Sequence, residues 1–533
     1  MRCSLASSIA VTCATVLALP VSLAAPAAAA VPSALGLPPA ATAQPPAPEL
    51  PGATQSLPLE SLDDSDRSLG GGTDDADVQG LTRRDVRPFS LVGVVWDDPT
   101  AALHGVVQVR TRATGGGAWS EWQDVETHNE EHGADPDTAE GHGRALKGST
   151  APLWVGDSDG VEIRVRGDEP LPEGLRLELV DPGEAPGAAP AQDPTAAATP
   201  VTAATVATAA TAASWSRTTA GSLTLAGLNA AQAAVSGVNT QLAPFGAAWI
   251  PALSKEATEL TLPYLPTVPQ AMAPPAALAL PDEAQAPDAA QAPADAQAPA
   301  DAQANADAQA PADAQANAEA QAPEQPAAAK PYIGPRPKII TRAGWGADER
   351  IREKGFVYTK TIKAAFVHHS ATGNNYTCAQ APSVLRSIYR YHVQSSGWRD
   401  FGYNFAVDKC GNIYEGRAGG VAKPVLGAHT LGFNTNSMGI AVLGTFTKST
   451  PPAAVVTAVA RLTAWKLGLH GVNPKGSAYL VSGGGNLYKK GSTVKLNAIA
   501  GHRDGFATEC PGARLYGKLG TARTSSAKYQ GRS

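Results

Sequence analysis

The sequence predicts a C-terminal α/β domain, with a mixed β-sheet flanked by helices, preceded by a small all-β domain and a long disordered Ala/Pro-rich linker. Three observations support this architecture. Strand-like and helix-like runs alternate over residues 336–523, short runs punctuated by Gly, Pro and Asp fill residues 79–182, and Ala, Pro, Asp and Gln dominate residues 183–335. A chain of 533 residues has room for two or three domains.

The first 30 residues have the pattern of a secretory signal peptide. Arg2 provides a positive start, residues 9–23 are mainly apolar, and the alanines of residues 24–30 suit cleavage after small residues. A membrane anchor is the alternative, but Pro20 and Pro26 interrupt the apolar run and no later segment is long and apolar enough to span a bilayer. We therefore expect a secreted, extracellular protein with no transmembrane segment in the mature chain.

The two segments that follow this leader differ sharply in residue composition and pattern. Residues 31–78 are rich in Ala, Pro, Asp and Gly, which predicts disorder. Residues 79–182 then contain short alternating runs that predict the strands of a β-sandwich or barrel, at residues 89–96, 105–111, 118–125, 152–156, 161–165 and 175–180.

Three histidines, His128, His132 and His142, lie in an acidic and turn-rich stretch between two of these predicted strands. Polar, turn-rich connections run over protein surfaces. We interpret all three histidines as solvated side chains and not as ligands.

The linker of residues 183–335 begins with Ala, Thr and Pro, has a candidate helix at residues 225–238, and continues as an Ala-Asp-Ala-Gln-Ala-Pro repeat over residues 283–322. Regular prolines and few aromatic residues predict a semi-extended acidic spacer.

The C-terminal domain has predicted elements of both kinds. Strands are expected at residues 364–369, 403–408, 412–415, 438–443 and 496–500, and helices at residues 382–394 and 452–469. Pro382 suits the first turn of its helix, and residues 403–415 predict a hairpin. Residues 524–533 are expected to be a short tail.

Charge is divided unevenly along the chain. Residues 331–533 contain 27 basic and 8 acidic residues, a net charge of +19, whereas residues 1–330 contain 15 basic and 40 acidic residues, a net charge of −25. So basic a domain is expected to associate with polyanions such as nucleic acid, an anionic membrane or anionic cell-wall polymers. The sequence contains no nucleic-acid motif, so we expect no nucleic-acid partner; a generic solvated surface is the alternative.

Cysteine usage is compatible with export. Cys3 and Cys13 would leave with the signal peptide, so the mature chain keeps three cysteines, Cys378, Cys410 and Cys510. Three thiols outside the cell suggest one disulfide and one thiol with another role. Counting does not separate the three pairings, but Cys378 and Cys410 are the natural pair if Cys510 binds a metal.

The stretch GHRDGFATECP, residues 501–511, brings a histidine and a cysteine close together at the end of a predicted strand. His502 and Cys510 are a nitrogen and a sulfur donor, the ligand types that Zn²⁺ accepts, and a catalytic zinc site keeps three protein ligands and one open position. The predicted strand KAAFVHHS, residues 363–370, offers His368 or His369 as the third ligand. Because side chains alternate along a strand, only one of these two can face the metal.

These residues belong to a longer set of motifs. They are TRAGWGA (341–347), VHHSAT (367–372), GWRDFGYNFAVD (397–408), YEGR (414–417), GAHTLGFNTNSMGIAVLG (427–444) and GHRDGFATECPG (501–512). In order and spacing, residues 340–519 closely resemble the peptidoglycan recognition proteins, in the superfamily of zinc-dependent N-acetylmuramoyl-L-alanine amidases. The N-terminal β region resembles, more weakly, the accessory part of secreted actinobacterial members.

The resemblance implies a zinc ion held by His368, His502 and Cys510. It also implies a site for muropeptides, with substrate-binding positions at His369, His392, Trp398, Arg417, His429 and Asn434. A structural role is the alternative for His392, Trp398 and Arg417. The implied reaction is hydrolysis of the lactyl amide between muramic acid and L-alanine in peptidoglycan. The Tyr403 hydroxyl would stabilise the oxyanion or orient the attacking water.

One position departs from the phage members of the superfamily. They have a lysine two residues before the cysteine ligand, and this chain has Thr508 there. Secreted amidase-active recognition proteins also have threonine, so catalysis assisted more weakly by Thr508 is expected. The alternatives to an amidase are a non-catalytic peptidoglycan-binding protein, and a cell-wall surface or scaffold protein in which the β domain and spacer matter most.

Overall fold

A computed structural model describes residues 52–62, 78–129, 131–138, 141, 145–184, 230–262 and 332–533. The predicted signal peptide, Cys3, Cys13, His142 and the repeat of residues 283–322 lie outside the described residues. The elements named below belong to one compact unit, Leu50–Ser533.

The N-terminal domain is all-β, as predicted. Its strands are β1 (Ala53–Pro58), β2 (Glu60–Ser61), β3 (Val78–Trp96), β4 (Gly105–Ala113), β5 (Gln123–Val125), β6 (Gly148–Ser149), β7 (Leu153–Gly167) and β8 (Arg176–Asp181).

These strands form one antiparallel sheet in the order β1-β8-β3-β7-β4-β5, with β2 and β6 also paired to β3. The long strands β3 and β7 pair with several shifts of register, which bend the ladder. One apolar cluster, including Phe89, Val109, Ile163 and Leu177, forms the core of the domain.

Two details of the β domain differ from the expectation. Strands β1 and β2 lie inside residues 31–78, because alternating residues such as Leu57 and Leu59 give them a side to pack against the sheet. The predicted strands at 152–156 and 161–165 are parts of the single strand β7.

The C-terminal domain contains a mixed sheet, which confirms the predicted class. Its strands are β9 (Trp249–Ile250), β10 (Ile339–Ile340), β11 (Ala364–His369), β12 (Phe405–Val407), β13 (Ile413–Glu415), β14 (Ser437–Val442) and β17 (Ile499–Gly501), in the order β17-β11-β14-β12-β13-β10-β9. The predicted hairpin is present as the antiparallel pair β12 and β13. The centre of the sheet is parallel, since β14 pairs in parallel with both β11 and β12.

A separate two-stranded ribbon consists of β15 (Ser477–Val481) and β16 (Thr493–Asn497). The strand expected at residues 496–500 is therefore two strands, with β16 in the ribbon and β17 in the main sheet. Ala498 lies between them and is fully buried.

Helices cover the faces of the main sheet. They are α1 (Ala230–Gly237), α2 (Lys255–Thr261), α3 (Arg342–Trp345), α4 (Ala381–Arg390), α5 (Ala453–Gly468), α6 (Ala513–Tyr516) and α7 (Leu519–Tyr529). Pro382 occupies the first turn of α4, and a π-helical turn, Tyr391–Ser395, continues that helix. None of the helices in the described residues has the length and hydrophobicity that crossing a membrane requires.

Residues 230–262, expected to be part of the linker, pack on the C-terminal domain. Strand β9 pairs antiparallel with β10, and the Asn239 amide donates a hydrogen bond of 2.8 Å to Glu415. The helix around residues 225–238 is confirmed in part, as α1. Helix α7 runs across residue 523 into the predicted tail, because Ala522 and Ala527 on one of its sides are buried.

The two domains share an apolar core. Leu91, Val95, Trp154 and Val180 of the β domain belong to one buried cluster with residues of α4 and the turn that follows it, including Ile388 and Tyr391. Burying such side chains together is worth about 1.5–3 kcal/mol each.

Tyr391 lies at the centre of this contact. Its hydroxyl is within hydrogen-bond distance of the carbonyls of Val94 (3.2 Å) and Thr150 (3.1 Å). A Cβ atom at Gly93 would lie 2.4 Å from the tyrosine oxygen, so glycine is needed for this close approach. The β domain is therefore docked on the C-terminal domain.

Cys378 and Cys410 form a disulfide, with Cα atoms 6.2 Å apart, and Cys510 is a free, buried cysteine. The disulfide joins the start of the α4 region to the turn between β12 and β13.

Candidate metal centre

Two histidines meet where neighbouring parallel strands end. Strand β11 ends in His368-His369, and His502 follows directly after β17. Because Val367 pairs with Gly501 in the ladder, the next residues, His368 and His502, lie side by side with ring centroids 4.5 Å apart. The carboxyl edge of the sheet therefore places two imidazoles together.

A closed loop returns Cys510 to the same point. The Arg503 amide donates a hydrogen bond of 3.0 Å to the Cys510 carbonyl, and the Asp504 carboxylate accepts from the Gly501 amide at 2.9 Å. The Cys510 sulfur lies 3.8 Å from His368 Nδ1. Two ligands of a tetrahedral zinc are separated by about 3.5 Å, so this distance suits a shared ion.

A fourth donor comes from the β domain. His132 is 6% exposed, and its ring centroid lies 4.4 Å from that of His502 and 5.3 Å from that of His368. One donor atom from each of His132, His368, His502 and Cys510 lies within 4.8 Å of the others. The interpretation of His132 as a solvated side chain is wrong, because docking of the two domains buries the loop that carries it.

Burial sets the protonation of these groups. It lowers the pKa of His132 to about 3 and that of His368 and His502 well below the usual value, so all three imidazoles are neutral at neutral pH. Neutral imidazole is the form that binds metals. Burial also raises the pKa of the Cys510 thiol, so a cation beside the sulfur is needed to hold it as thiolate.

The residues present fit a zinc ion. Both ring nitrogens of His132 and of His502 are buried without a hydrogen-bond partner among the described residues. Leaving such groups unpaired costs about 1–3 kcal/mol each, and a bound cation would satisfy one nitrogen of each ring. His368 is oriented by Thr430, whose hydroxyl lies 3.4 Å from Nε2, as expected for a supporting contact to a metal ligand.

A small cavity of about 20 Å³ lies beside these donors. Its wall includes Cys510 and four other predicted site residues, His369, His392, Tyr403 and Thr508. Burial, and secondarily the nearby Cys510, raises the pKa of Tyr403 well above its usual value, so its hydroxyl keeps its proton. Thr508 donates a hydrogen bond of 2.7 Å to the Glu131 carboxylate of the β domain.

Comparison with known proteins identifies the C-terminal domain. A family model described as N-acetylmuramoyl-L-alanine amidase matches residues 358–513, and one described as Rv3811 N-terminal galactose-binding domain-like matches residues 39–201. Peptidoglycan-recognition protein SC2 of Drosophila melanogaster is 30% identical over 183 residues, which are 34% of this chain and 85% of that protein. The chain belongs to the peptidoglycan recognition protein family.

Two further similarities lie in the same part of the chain. N-acetylmuramoyl-L-alanine amidase of Homo sapiens is 30% identical over 190 residues, 35% of this chain and 28% of that protein. The solved structure of Drosophila PGRP-LB is 27% identical and covers 34% of this chain and 92% of its own, with a TM-score of 0.27. Membership of the family indicates a peptidoglycan-related amidase or peptidoglycan-binding function.

Four of the six predicted substrate-binding residues do not line the cavity. Trp398 stacks on His392 with ring centroids 4.3 Å apart, and Arg417 donates to the Phe401 carbonyl at 2.8 Å. His429 is fully buried beside Thr430. Asn434 accepts hydrogen bonds from the backbone amides of His429 and Thr430 and donates to the Gly133 carbonyl at 2.8 Å.

The sequence analysis did not predict that the β domain contributes residues to the metal centre. Besides His132, the neighbouring Glu131 and Asp135 are buried against the C-terminal domain. In the sequence they differ little from other acidic and polar loop residues. Their only signal is a histidine among carboxylates, which is too common to indicate a ligand.

Proposed function

We propose that the chain is a secreted, zinc-dependent N-acetylmuramoyl-L-alanine amidase that hydrolyses the lactyl amide between muramic acid and L-alanine in peptidoglycan. One observation carries the proposal: His368, His502 and Cys510 converge beside a cavity that also contains the Tyr403 side chain. Three protein ligands of this kind are the donor set of a catalytic zinc, whose fourth position must be open to water during the reaction.

His368, His502 and Cys510 would hold the ion. Bound zinc would supply a Lewis acid for the amide carbonyl and lower the pKa of a bound water toward neutrality. The chain contributes the rigidity of the site, because two ligands follow directly from adjacent parallel strands and the third is fixed by the 503–510 loop closure.

Tyr403 is the best candidate for stabilising the charge that develops on the carbonyl oxygen. Its hydroxyl is neutral, its ring centroid lies 5.2 Å from that of His368, and it borders the cavity. A single donor of this kind is worth about 10²–10³ in turnover. Thr508, which also borders the cavity, would add a second, uncharged donor once it is released from the Glu131 carboxylate.

Peptidoglycan and its muropeptides are the proposed partners. His369 and His392 border the cavity and suit contact with a muropeptide, whereas Asn434 and His429 support the surrounding loop by hydrogen bonds. The basic C-terminal domain also suits anionic cell-wall polymers. The disulfide and the signal-peptide pattern support secretion, since disulfides persist in oxidising compartments.

A second candidate is a peptidoglycan-binding protein without catalysis. The observation that favours it is His132, which adds a fourth donor and leaves no position of the ligand set open to water.

The test uses the full mature chain and a soluble muropeptide. Purified protein is expected to contain one zinc per chain and to release the free stem peptide, slowly but in a zinc-dependent manner. Cys510→Ser is expected to lose both properties while keeping the wild-type circular dichroism spectrum. A wild-type chain that binds peptidoglycan and zinc, yet releases no stem peptide even after His132 is replaced, would establish the second candidate.

A further inference from the structure

The loop between β5 and β6, defined by its described residues 126–129 and 131–138, is the part of the β domain that enters the metal centre. Its described residues 131–135 run along the C-terminal domain, and they place His132 among the three donors of that domain. A histidine that is 6% exposed, with neither ring nitrogen hydrogen-bonded within the described chain, is poorly explained as a packing residue.

The loop is fixed on both sides of His132. The Leu431 amide donates to the Glu131 carbonyl at 2.9 Å, and the Gly432 amide donates to the Asp135 carboxylate at 2.6 Å. Asn434 donates to the Gly133 carbonyl and to Asp135. These contacts hold the loop in place independently of a metal ion.

The same contacts occupy one group that the proposed function assigns to the reaction, Thr508, and one that the family resemblance assigns to substrate binding, Asn434. Thr508 is bonded to the Glu131 carboxylate, and the side-chain amide of Asn434 is bonded to the loop. Carbonyl and carboxylate oxygens are also what a peptide stem would present to these groups. The loop therefore lies where a stem peptide is expected to bind.

The remaining space excludes a muropeptide. The cavity of about 20 Å³ has room for about one water molecule, and Glu126, Asn129, Glu131 and His132 of the loop form part of its wall. A site for a small organic ligand needs roughly 300 Å³ or more.

We infer that His132 is a fourth, exchangeable ligand of the metal and that the β5–β6 loop is a built-in inhibitor, which must withdraw before peptidoglycan can enter. The inference rests on the proposed function, because it takes His368, His502 and Cys510 to hold zinc. Four protein ligands make a closed site, and three make an open one. Loss of His132 from the ion therefore converts a latent centre into a catalytic one.

The first test counts ligands on the zinc-loaded full chain by X-ray absorption at the zinc edge. Wild type is expected to show three nitrogens and one sulfur. His132→Ala is expected to show two nitrogens, one sulfur and one oxygen from water. His104→Ala, the same change at an exposed histidine of the β domain outside this loop, is the matched control and is expected to keep the wild-type spectrum.

The second test measures hydrolysis of a soluble muropeptide by the same three proteins. If the open form is a minor population of about 10% or less, removal of the loop ligand is expected to raise the rate about tenfold or more. His132→Ala/Asp135→Ala, which also removes the contact with Gly432, is expected to be faster still.

The outcomes separate this inference from the proposed function. An identical ligand set in wild type and His132→Ala overturns the inference and leaves the amidase proposal standing. A lost nitrogen without any gain in hydrolysis, in either the single or the double variant, overturns the inhibitory role of the loop. Absence of zinc from wild type and from His132→Ala overturns the proposed function itself.

Discussion

The C-terminal domain and the β domain contribute to the metal centre in different ways. His368 lies near the end of β11, and His502 directly follows β17, the edge strand that pairs in parallel with β11; both histidines are fully buried. His132 lies on a connection between two short strands, and hydrogen bonds of its neighbours Glu131 and Asp135 hold that connection on the surface of the other domain. One side of the centre belongs to the sheet, and the other side can leave without unfolding it.

This difference determines how easily each ligand can leave the metal centre. A ligand carried by a paired strand can move only if that strand separates from its neighbour, which costs a large part of the stability of the domain. A ligand on a loop needs only the loss of a few hydrogen bonds and one metal bond. A latent enzyme requires this division of roles, because the catalytic ligands must persist when the inhibitory ligand is released.

The largest expected effect comes from removing a ligand on the sheet side. His502→Ala, introduced into His132→Ala, is expected to lose zinc and to reduce muropeptide hydrolysis by about 10³-fold or more, because the ligand set falls below three. Zinc content and initial rates measure the effect. Retention of activity by the double variant would show that His502 is not a required ligand and would contradict the permanent role given to the sheet side.

An intermediate effect is expected from the docking contact between the domains. Tyr391→Phe removes the buried hydroxyl that bonds to the carbonyls of Val94 and Thr150, and is expected to lower the free energy of unfolding by about 1–2 kcal/mol. Urea unfolding of the zinc-loaded chain measures the change. Because this contact holds the domain that carries the loop, hydrolysis is also expected to increase.

Tyr479→Phe is the matched control for this prediction, since Tyr479 is 58% exposed. Its expected change in stability is less than about 0.5 kcal/mol. Equal effects of the two substitutions would mean that the Tyr391 hydroxyl does not stabilise the docked arrangement.

The smallest effect is expected from the ion pair between Asp137 of the loop and Lys490 of the C-terminal domain. Both side chains are about two-thirds exposed (66% and 65%), so the pair contributes little. Lys490→Ala is expected to raise hydrolysis less than about fivefold at low salt, with no difference at about 1 M salt. Lys489→Ala, which changes the exposed neighbour, is the control, and an effect of Lys490→Ala that persists at high salt would contradict this explanation.

Much of the C-terminal domain was predictable from local patterns. Strand β11, helix α4 and the β12–β13 hairpin appear near the expected positions, because their apolar residues follow the period of the element they form. Residues 230–262 were not predictable as a docked segment. Their pairing through β9 and through Asn239 with Glu415 depends on partners that lie about 90 and 176 positions away in the chain.

The candidate site was likewise predictable from the sequence only in part. The residues alone predicted His502, Cys510 and one of His368 and His369 as zinc ligands, because these lie in local motifs at strand ends, and the family resemblance selected His368. Only the tertiary structure decided that His132 joins them. The position of that loop depends on the fit between two separately patterned surfaces, Leu91, Val95, Trp154 and Val180 against α4 and Tyr391, and no local pattern records such a fit.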